Sequence, residues 1–68
     1  MMFFKSETWA MDVPQDLGRK LCDLLGALGV RHSNLNPEGE FCTVVVKLPK
    51  DKMLKIGKAF NVRPYRRS

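Results

Sequence analysis

The residues with the clearest chemical potential in this chain are basic, and they cluster toward its C-terminal end. Positions 47–68 hold eight of the twelve lysines and arginines but only one of the seven acids. This segment therefore has a net charge of +7 and residues 1–46 have −2, which gives the chain its net +5. A local excess of positive charge attracts phosphates or carboxylates within the range that salt screening allows. We expect the partner of this end to be acidic.

Lysine supplies diffuse attraction to phosphate, whereas the arginine guanidinium binds phosphate through two hydrogen bonds and stacks on bases. Tyr65 lies among the arginines, where its ring can stack on an unpaired base. The predicted contacts with nucleic acid or with an acidic protein surface are Lys50, Lys52, Lys55, Lys58, Arg63, Tyr65, Arg66 and Arg67. The simpler alternative is a charged helix face and tail that only keep the domain soluble.

Catalytic chemistry finds little support in the residue pattern. His32 is the only histidine and has no acid partner that the sequence identifies. The acids fall at a turn, at a helix start and on an exposed helix side, where acids occur without catalysis. The glycines of residues 26–29 end a helix, whereas a phosphate-binding loop must begin one. We therefore predict a protein that is not an enzyme and has no small-molecule substrate.

The sequence also predicts no metal, no cofactor and no membrane segment. Cys22, Cys42 and His32 lack the spacing of a tetrahedral metal site, and the two cysteines are expected to be buried, reduced thiols. The apolar residues 1–4 are followed at once by Lys5, so we expect neither a signal peptide nor an anchor. No apolar run approaches the roughly 20 residues that span a bilayer. The expected location is the cytoplasm.

The first half of the chain predicts a strand followed by a helix. Residues 2–11 are aromatic and partly alternating, which indicates a strand whose buried face the sequence does not decide. A helix should follow with Asp12 as its N-cap near Pro14, and Gly29 should end it in a left-handed conformation. Four leucines at helical spacing predict the buried stripe of this helix. They are Leu17, Leu21, Leu24 and Leu28, and Cys22 and Leu25 widen the stripe.

The second half predicts two strands, a helix and a possible last strand. Residues 30–35 form a short polar strand, and residues 36–39 a turn that contains proline and glycine. Residues 40–48 are the strongest strand, because their branched side chains suit a pleated sheet. Its apolar face consists of Cys42, Val44, Val46 and Leu48. A helix should run from about Lys50 to Phe60, end at Asn61, and be followed by a brief strand over residues 62–65.

The order βαββα, with a possible last β, indicates an α+β domain. A ferredoxin-like, or split βαβ, two-layer sandwich packs this order most simply, with two helices on one face of an antiparallel sheet. In that arrangement the first and third strands are central, and the polar second strand and the proline-containing fourth strand lie at the edges. We assign residues 1–63 to a single domain and residues 64–68 to a basic C-terminal tail.

The open face of this sheet is the second predicted contact surface. Its residues on the strongest strand are Phe41, Thr43, Val45 and Lys47, and Trp9 or Phe3 would join them in one register of the first strand. Exposed aromatics on such a sheet can stack on RNA bases, but the basic-glycine-aromatic signature of that module is absent. Contact with another protein, including a second copy of this chain, is favoured for this face.

Two functions therefore follow from the sequence. The first is a non-enzymatic binding module that contacts an acidic macromolecule, nucleic acid first, through the basic second helix and the tail. The alternative is a small stand-alone inhibitor or adaptor of the kind that mobile elements encode, which binds one protein through its open sheet face or an edge strand. The salt dependence of binding to short nucleic acids distinguishes them, because phosphate contacts produce a steep negative slope.

Overall fold

The computed structural model describes residues 6–67, which form one four-stranded sheet and two helices. The elements are β1 (Glu7–Pro14), α1 (Gln15–Ala27), β2 (His32–Leu35), β3 (Phe41–Leu48), α2 (Lys50–Phe60) and β4 (Tyr65–Arg66). The predicted α+β class is confirmed, and α2 has the predicted bounds. Phe3 and the start of the predicted first strand lie outside the described residues.

The sheet has the strand order β2-β3-β1-β4, and every pair of neighbours is antiparallel. The central pair, β1 and β3, is in register over its full length, from Glu7 opposite Leu48 to Pro14 opposite Phe41. The short strands β2 and β4 occupy the edges. The first and third strands are therefore central, as the sequence predicts, and the two less apolar strands face solvent along one edge each.

One face of the sheet packs against the two helices and forms part of the hydrophobic core. Trp9, Met11 and Val13 of β1 are buried on this face opposite Val46, Val44 and Cys42 of β3, and the fourth predicted residue of β3, Leu48, lies opposite Glu7. Leu21 and Leu25 of α1 and Met53 of α2 belong to the same cluster, so both helices cover this face. The structure thus shows which face of β1 is buried. Trp9 is only 5% exposed and is not on the open face, where one register would have placed it.

The start of α1 differs from the prediction. Asp12 is not an N-cap, because β1 continues through Pro14 and the residue before the helix is Pro14, with φ −58° and no side-chain capping bond. Extending the strand buries Val13 beside Met11 and Trp9, which a helix beginning at Asp12 would prevent. The carboxylate of Asp12 lies on the open face instead, opposite Thr43.

The buried face of α1 is also rotated relative to the predicted leucine stripe. Leu21 and Leu25 have no exposed surface, whereas Leu24 is half-buried and Leu28 is 59% exposed. The cause is Gly18, which is buried against Cys42 Sγ and Val13 and lets the helix lie close to the sheet there. Close approach at Gly18 turns the row that contains Leu21 and Leu25 inward, so Leu28 is left outside the core.

Both helices end at the predicted residues, and Asn61 shares the left-handed backbone that was predicted only for Gly29. Gly29 has φ +71°, and Val30 N–H donates to the carbonyl of Leu25 at 2.9 Å. Asn61 has φ +56°, and Val62 N–H donates to the carbonyl of Gly57 at 2.7 Å. These bonds satisfy carbonyls that a helix end would otherwise leave unpaired. Within residues 6–67, neither helix is long and apolar enough to cross a membrane.

The last strand begins later than predicted. β4 consists of Tyr65 and Arg66, not of residues 62–65, and it pairs with β1 opposite Ala10 and Trp9. Pro64 has no N–H to donate, so the sheet pairing begins only after it. The pairing continues at Arg67, whose N–H donates to the carbonyl of Thr8 at 2.9 Å. Residues 65–67 of the predicted basic tail are therefore attached to the sheet.

The close approach at Gly18 yields a stability prediction. In Gly18→Ala the new methyl group would collide with Cys42 Sγ and lie 3.3 Å from a methyl carbon of Val13, and both neighbours are held in the sheet. We expect the free energy of unfolding to fall by about 1–3 kcal/mol from overpacking, although alanine favours helices by about 1 kcal/mol over glycine. Urea denaturation measures the change.

Gly26→Ala is the matched control on the same helix. The nearest heavy atom to its new methyl group is His32 Cε1 at 3.9 Å, so nothing opposes the gain in helix propensity. This variant should gain about 0.5–1 kcal/mol. A Gly18→Ala protein that is as stable as the parent would show that α1 does not approach β3 at this point.

Candidate nucleic-acid interface

Three basic side chains, from β3 and from the residues that flank β2 and β4, share one cross-strand row on the open face. Lys47 of β3 lies opposite Thr8 of β1. The row extends outward on one side to Arg31, whose carbonyl accepts from Lys47 N–H at 3.1 Å, and on the other side to Arg67, whose N–H donates to Thr8. Because side chains alternate between the faces of a sheet, these four residues point to the same side. We call Arg31, Lys47, Thr8 and Arg67 the cationic row.

The cationic row has no internal charge compensation within residues 6–67. The one ion pair among residues 6–67 joins Arg66 Nε and Glu7 Oε2 at 3.8 Å. Alternation of side chains places both of these residues on the helix-covered face. Arg31, just before β2, and Lys47 of β3 are exposed neighbours across the sheet, where like charges repel. A bound anion would remove this repulsion.

A depression of about 570 Å³ lies along the cationic row. Arg31, Lys47 and the hydroxyl-bearing residues Thr8 and Ser33 line it, and Val45 contributes an apolar patch. The other lining residues are Val30, His32 and Val46. The site therefore combines two positive charges, two hydroxyl donors and an apolar surface, which suits a phosphate linked to a flat or apolar group.

Asp12 organises the middle of the open face. Thr43 Oγ1–H donates to Asp12 Oδ1 at 2.6 Å, and the phenol of Tyr65 donates to Asp12 Oδ2 at 3.1 Å. These two bonds connect β3, β1 and β4 through side chains. The hydrogen bond to Asp12 is the main reason that the pKa of Tyr65 is raised, and the positive charge of Arg67 opposes this shift.

Apolar and aromatic groups occupy the rest of the open face. Tyr65 is 45% exposed and lies opposite Ala10, which has no exposed surface because larger neighbours flank it on both adjacent strands. Phe41 is 60% exposed and Leu35 is 42% exposed, both at the end away from the cationic row. The face thus has a cationic end, a hydrogen-bonded middle and an apolar end.

The structure does not bring the predicted basic residues together on one surface. The four lysines of α2 are exposed on the helix layer, away from the open face; they are Lys50, Lys52, Lys55 and Lys58. Arg63 lies in the connection between α2 and β4, and Arg66 pairs with Glu7. Tyr65 and Arg67 share the open face with Lys47 and with the predicted sheet-face residues Phe41, Thr43 and Val45.

Sequence reasoning missed Arg31, Thr8, Ser33 and Asp12. Arg31 lies outside the basic cluster in sequence, and only the pairing of β2 with β3 brings it beside Lys47. Alternation in the predicted strand over residues 30–35 does place Arg31 and Ser33 on one face, which was the available signal. Asp12 was missed because its acidic side chain before Pro14 is typical of a helix cap.

The histidine and the two cysteines form no metal site within the described residues. Among residues 6–67, no three metal-ligating side chains converge. His32 Nδ1 lies 2.9 Å from the carbonyl of Val30. Cys22 and Cys42 are free thiols, and burial, followed by the neighbouring Cys42, raises the pKa of Cys22. A raised pKa makes this thiol less reactive at neutral pH.

Comparison with known proteins identifies no relative. No protein-family model matches the chain, and no curated protein or solved structure is significantly similar to it. A functional assignment therefore depends on the geometry of the site.

The contact between Tyr65 and Asp12 can be measured directly, because Tyr65 is the only tyrosine. Absorbance titration of the phenol should give a midpoint above the ordinary value of about 10, and Asp12→Asn should lower it, since the accepting charge is lost. The hydrogen bond stabilises the fold at pH values below about 10 and ceases to do so as the pH rises through the higher folded-state pKa. An unchanged midpoint in Asp12→Asn would contradict this arrangement.

Proposed function

We propose that this protein is a non-enzymatic binding module for an acidic macromolecule, and that its ligand is single-stranded nucleic acid held on the open sheet face. The observation that carries the proposal is the cationic row. It is a set of exposed charges on β3 and on the residues that flank β2 and β4, unpaired within residues 6–67, next to a depression with hydroxyl and apolar lining. The proposed function is still the first one predicted from the sequence, binding to an acidic macromolecule. The proposed contact surface is now the open sheet face and not α2.

The cationic row suits the sugar-phosphate backbone. It crosses four strand positions, a span of about 14 Å at the usual strand spacing of about 4.8 Å. Arg31 and Arg67 stand at the two ends of the row, where each guanidinium can bind a phosphate through two hydrogen bonds. Lys47 and the hydroxyl of Thr8 lie between them and can contact the connecting backbone.

The residues behind the cationic row suit bases. Tyr65 and Val45 flank Ala10 in the next cross-strand row, and Tyr65 is held in place by Asp12. Unpaired bases stack on aromatic side chains of such open sheets, whereas duplex bases are already stacked on one another. The carboxylate of Asp12 repels phosphate from the middle of the face. The backbone should therefore follow the cationic row, with the bases toward Tyr65.

The lysines of α2 take a secondary role in this proposal. They lie on the helix layer and add to a positive field that surrounds the domain, which raises the rate of encounter with a polyanion. A direct role in the bound complex belongs to the open face. Tyr65 and Arg67 are the members of the predicted basic cluster that remain in the interface.

We also propose that the domain is a ferredoxin-like, or split βαβ, sandwich. The antiparallel order β2-β3-β1-β4, with a helix after β1 and another after β3, supports this assignment. An open sheet opposite two helices is the surface with which several RNA-binding domains of this topology bind single strands. This likeness is one of architecture and adds support only to the choice of face.

A second candidate function rests on the apolar end of the open face. Phe41 and Leu35 are exposed there, and the short strand β2 leaves one edge unpaired within the described residues. An exposed apolar patch at a free strand edge favours a protein partner, either a second copy or the target of a small inhibitor or adaptor. This candidate predicts binding that is insensitive to the cationic row.

The decisive variant carries Arg31→Gln, Lys47→Gln and Arg67→Gln. Its matched control carries Lys50→Gln, Lys52→Gln and Lys58→Gln, which removes the same total charge from α2. We expect the logarithmic salt slope for a labelled oligothymidylate to become shallower by about 2 in the first protein, from about 0.7 per lost phosphate contact. The control should retain nearly the full slope. Fluorescence anisotropy at several salt concentrations measures both.

Equal losses in the two variants would mean that binding follows net charge and not the open face. Absence of binding to single and double strands at low salt would contradict the proposal and leave the protein-binding candidate. Circular dichroism of each variant verifies the fold, which should be unaffected because all six side chains are exposed.

A further inference from the structure

A second depression lies on the helix layer, on the opposite side of the sheet from the cationic row. It has a volume of about 330 Å³ and lies between the C-terminal end of α1 and one side of α2. Its lining consists of Leu28, Val30, Leu48, Lys52, Lys55 and Ile56. We call this depression the helix-layer groove. Four of its six lining residues are apolar, so it is unlike the cationic site on the open face.

Part of the apolar wall of the helix-layer groove lies outside the core. Leu28 is 59% exposed because α1 is rotated toward Gly18, and Ile56 is only partly buried at the margin of the core cluster. Leucine at this position keeps apolar surface in contact with water. A partner that covers Leu28 and Ile56 would remove that surface from solvent.

The charge on the groove is positive. Lys52 and Lys55 are three residues apart on α2, which places their Cβ atoms about 5–6 Å apart on one side of the helix. Neither lysine forms an ion pair with an acid of residues 6–67. The nearest acid along α2 is Asp51, which is exposed and stands four residues before Lys55 without pairing to it.

From this combination we infer that the helix-layer groove docks an acidic amphipathic helix of a partner protein. Leucine-type side chains of the partner would fill the space between Leu28 and Ile56. Two carboxylates one helical turn apart on the partner would meet Lys52 and Lys55, whose own spacing is one turn. Docking an apolar helix face into a groove between elements is a common mode of peptide recognition.

Charge complementarity selects this occupant over the others. A second copy of this chain would add another net charge of +5 to a basic groove. Nucleic acid would meet the lysines but would leave the apolar wall without a matching group. A fatty acid would leave much of its chain in water, since Leu28 is mostly exposed.

The test uses a labelled synthetic helical peptide that has leucines on one face and glutamates beside them. Its matched control peptide has lysine in place of each glutamate. We expect the protein to bind the acidic peptide saturably and the basic peptide at least about tenfold more weakly, a difference of about 1.4 kcal/mol. Lys52→Glu combined with Lys55→Glu should invert this preference. Leu28→Ser should weaken the acidic peptide severalfold, and this exposed position should tolerate the change without unfolding.

Lys58→Glu is the matched control variant, because it reverses a charge on the same helix outside the groove. It should change the affinity for the acidic peptide less than twofold. Several results would overturn the inference: no saturation by the acidic peptide at millimolar concentration, an equal effect of Lys58→Glu, or displacement of the peptide by an oligonucleotide or by decanoate. Self-association that disappears in Leu28→Ser would assign the groove to a second copy instead.

Discussion

The register between β1 and β3 is the constraint on which the rest of the structure depends. Trp9, Met11 and Val13 lie opposite apolar residues of β3, so one face of the central pair is apolar between residues 9 and 13 of β1. The same register places Thr8 opposite Lys47 and Asp12 opposite Thr43 on the other face. A shift of one residue would exchange the faces of β1, burying Asp12 and exposing Met11. The register between β1 and β3 therefore determines both which residues form the core and which form the candidate interface.

This arrangement divides the basic residues of a small domain between two layers. The open face of the sheet carries Arg31, Lys47 and Arg67 in a single row, and α2 carries Lys52 and Lys55 one turn apart. The former set faces a depression with hydroxyl donors, and the latter borders an apolar groove. Two surfaces with the same sign of charge thus differ in what lies between the charges, and the proposed preferences for phosphate and for acidic helices rest on this difference.

Much of the fold was accessible from local sequence signals. The bounds of α2 with its end at Asn61, the left-handed residue Gly29, and the apolar face of β3 follow from residue types within a few positions. The predictions were wrong where contacts with residues distant in sequence determine the structure. Asp12 is an acceptor for Thr43 and Tyr65, which are 31 and 53 residues away in sequence, and the face that α1 buries depends on the contact of Gly18 with Cys42. The cationic row was out of reach for the same reason, since Arg31 joins it only through strand pairing.

Heteronuclear NMR of the protein during addition of a single-stranded oligonucleotide tests most directly whether the open sheet face binds. An oligothymidylate of about 12 nucleotides lies within the usual site sizes of small single-strand binding folds. We predict the largest chemical-shift changes at the backbone amides of Thr8, Arg31, Ser33, Lys47 and Arg67, with residues 50–60 nearly unchanged. Shift changes concentrated in α2, with an unperturbed open face, would contradict this account.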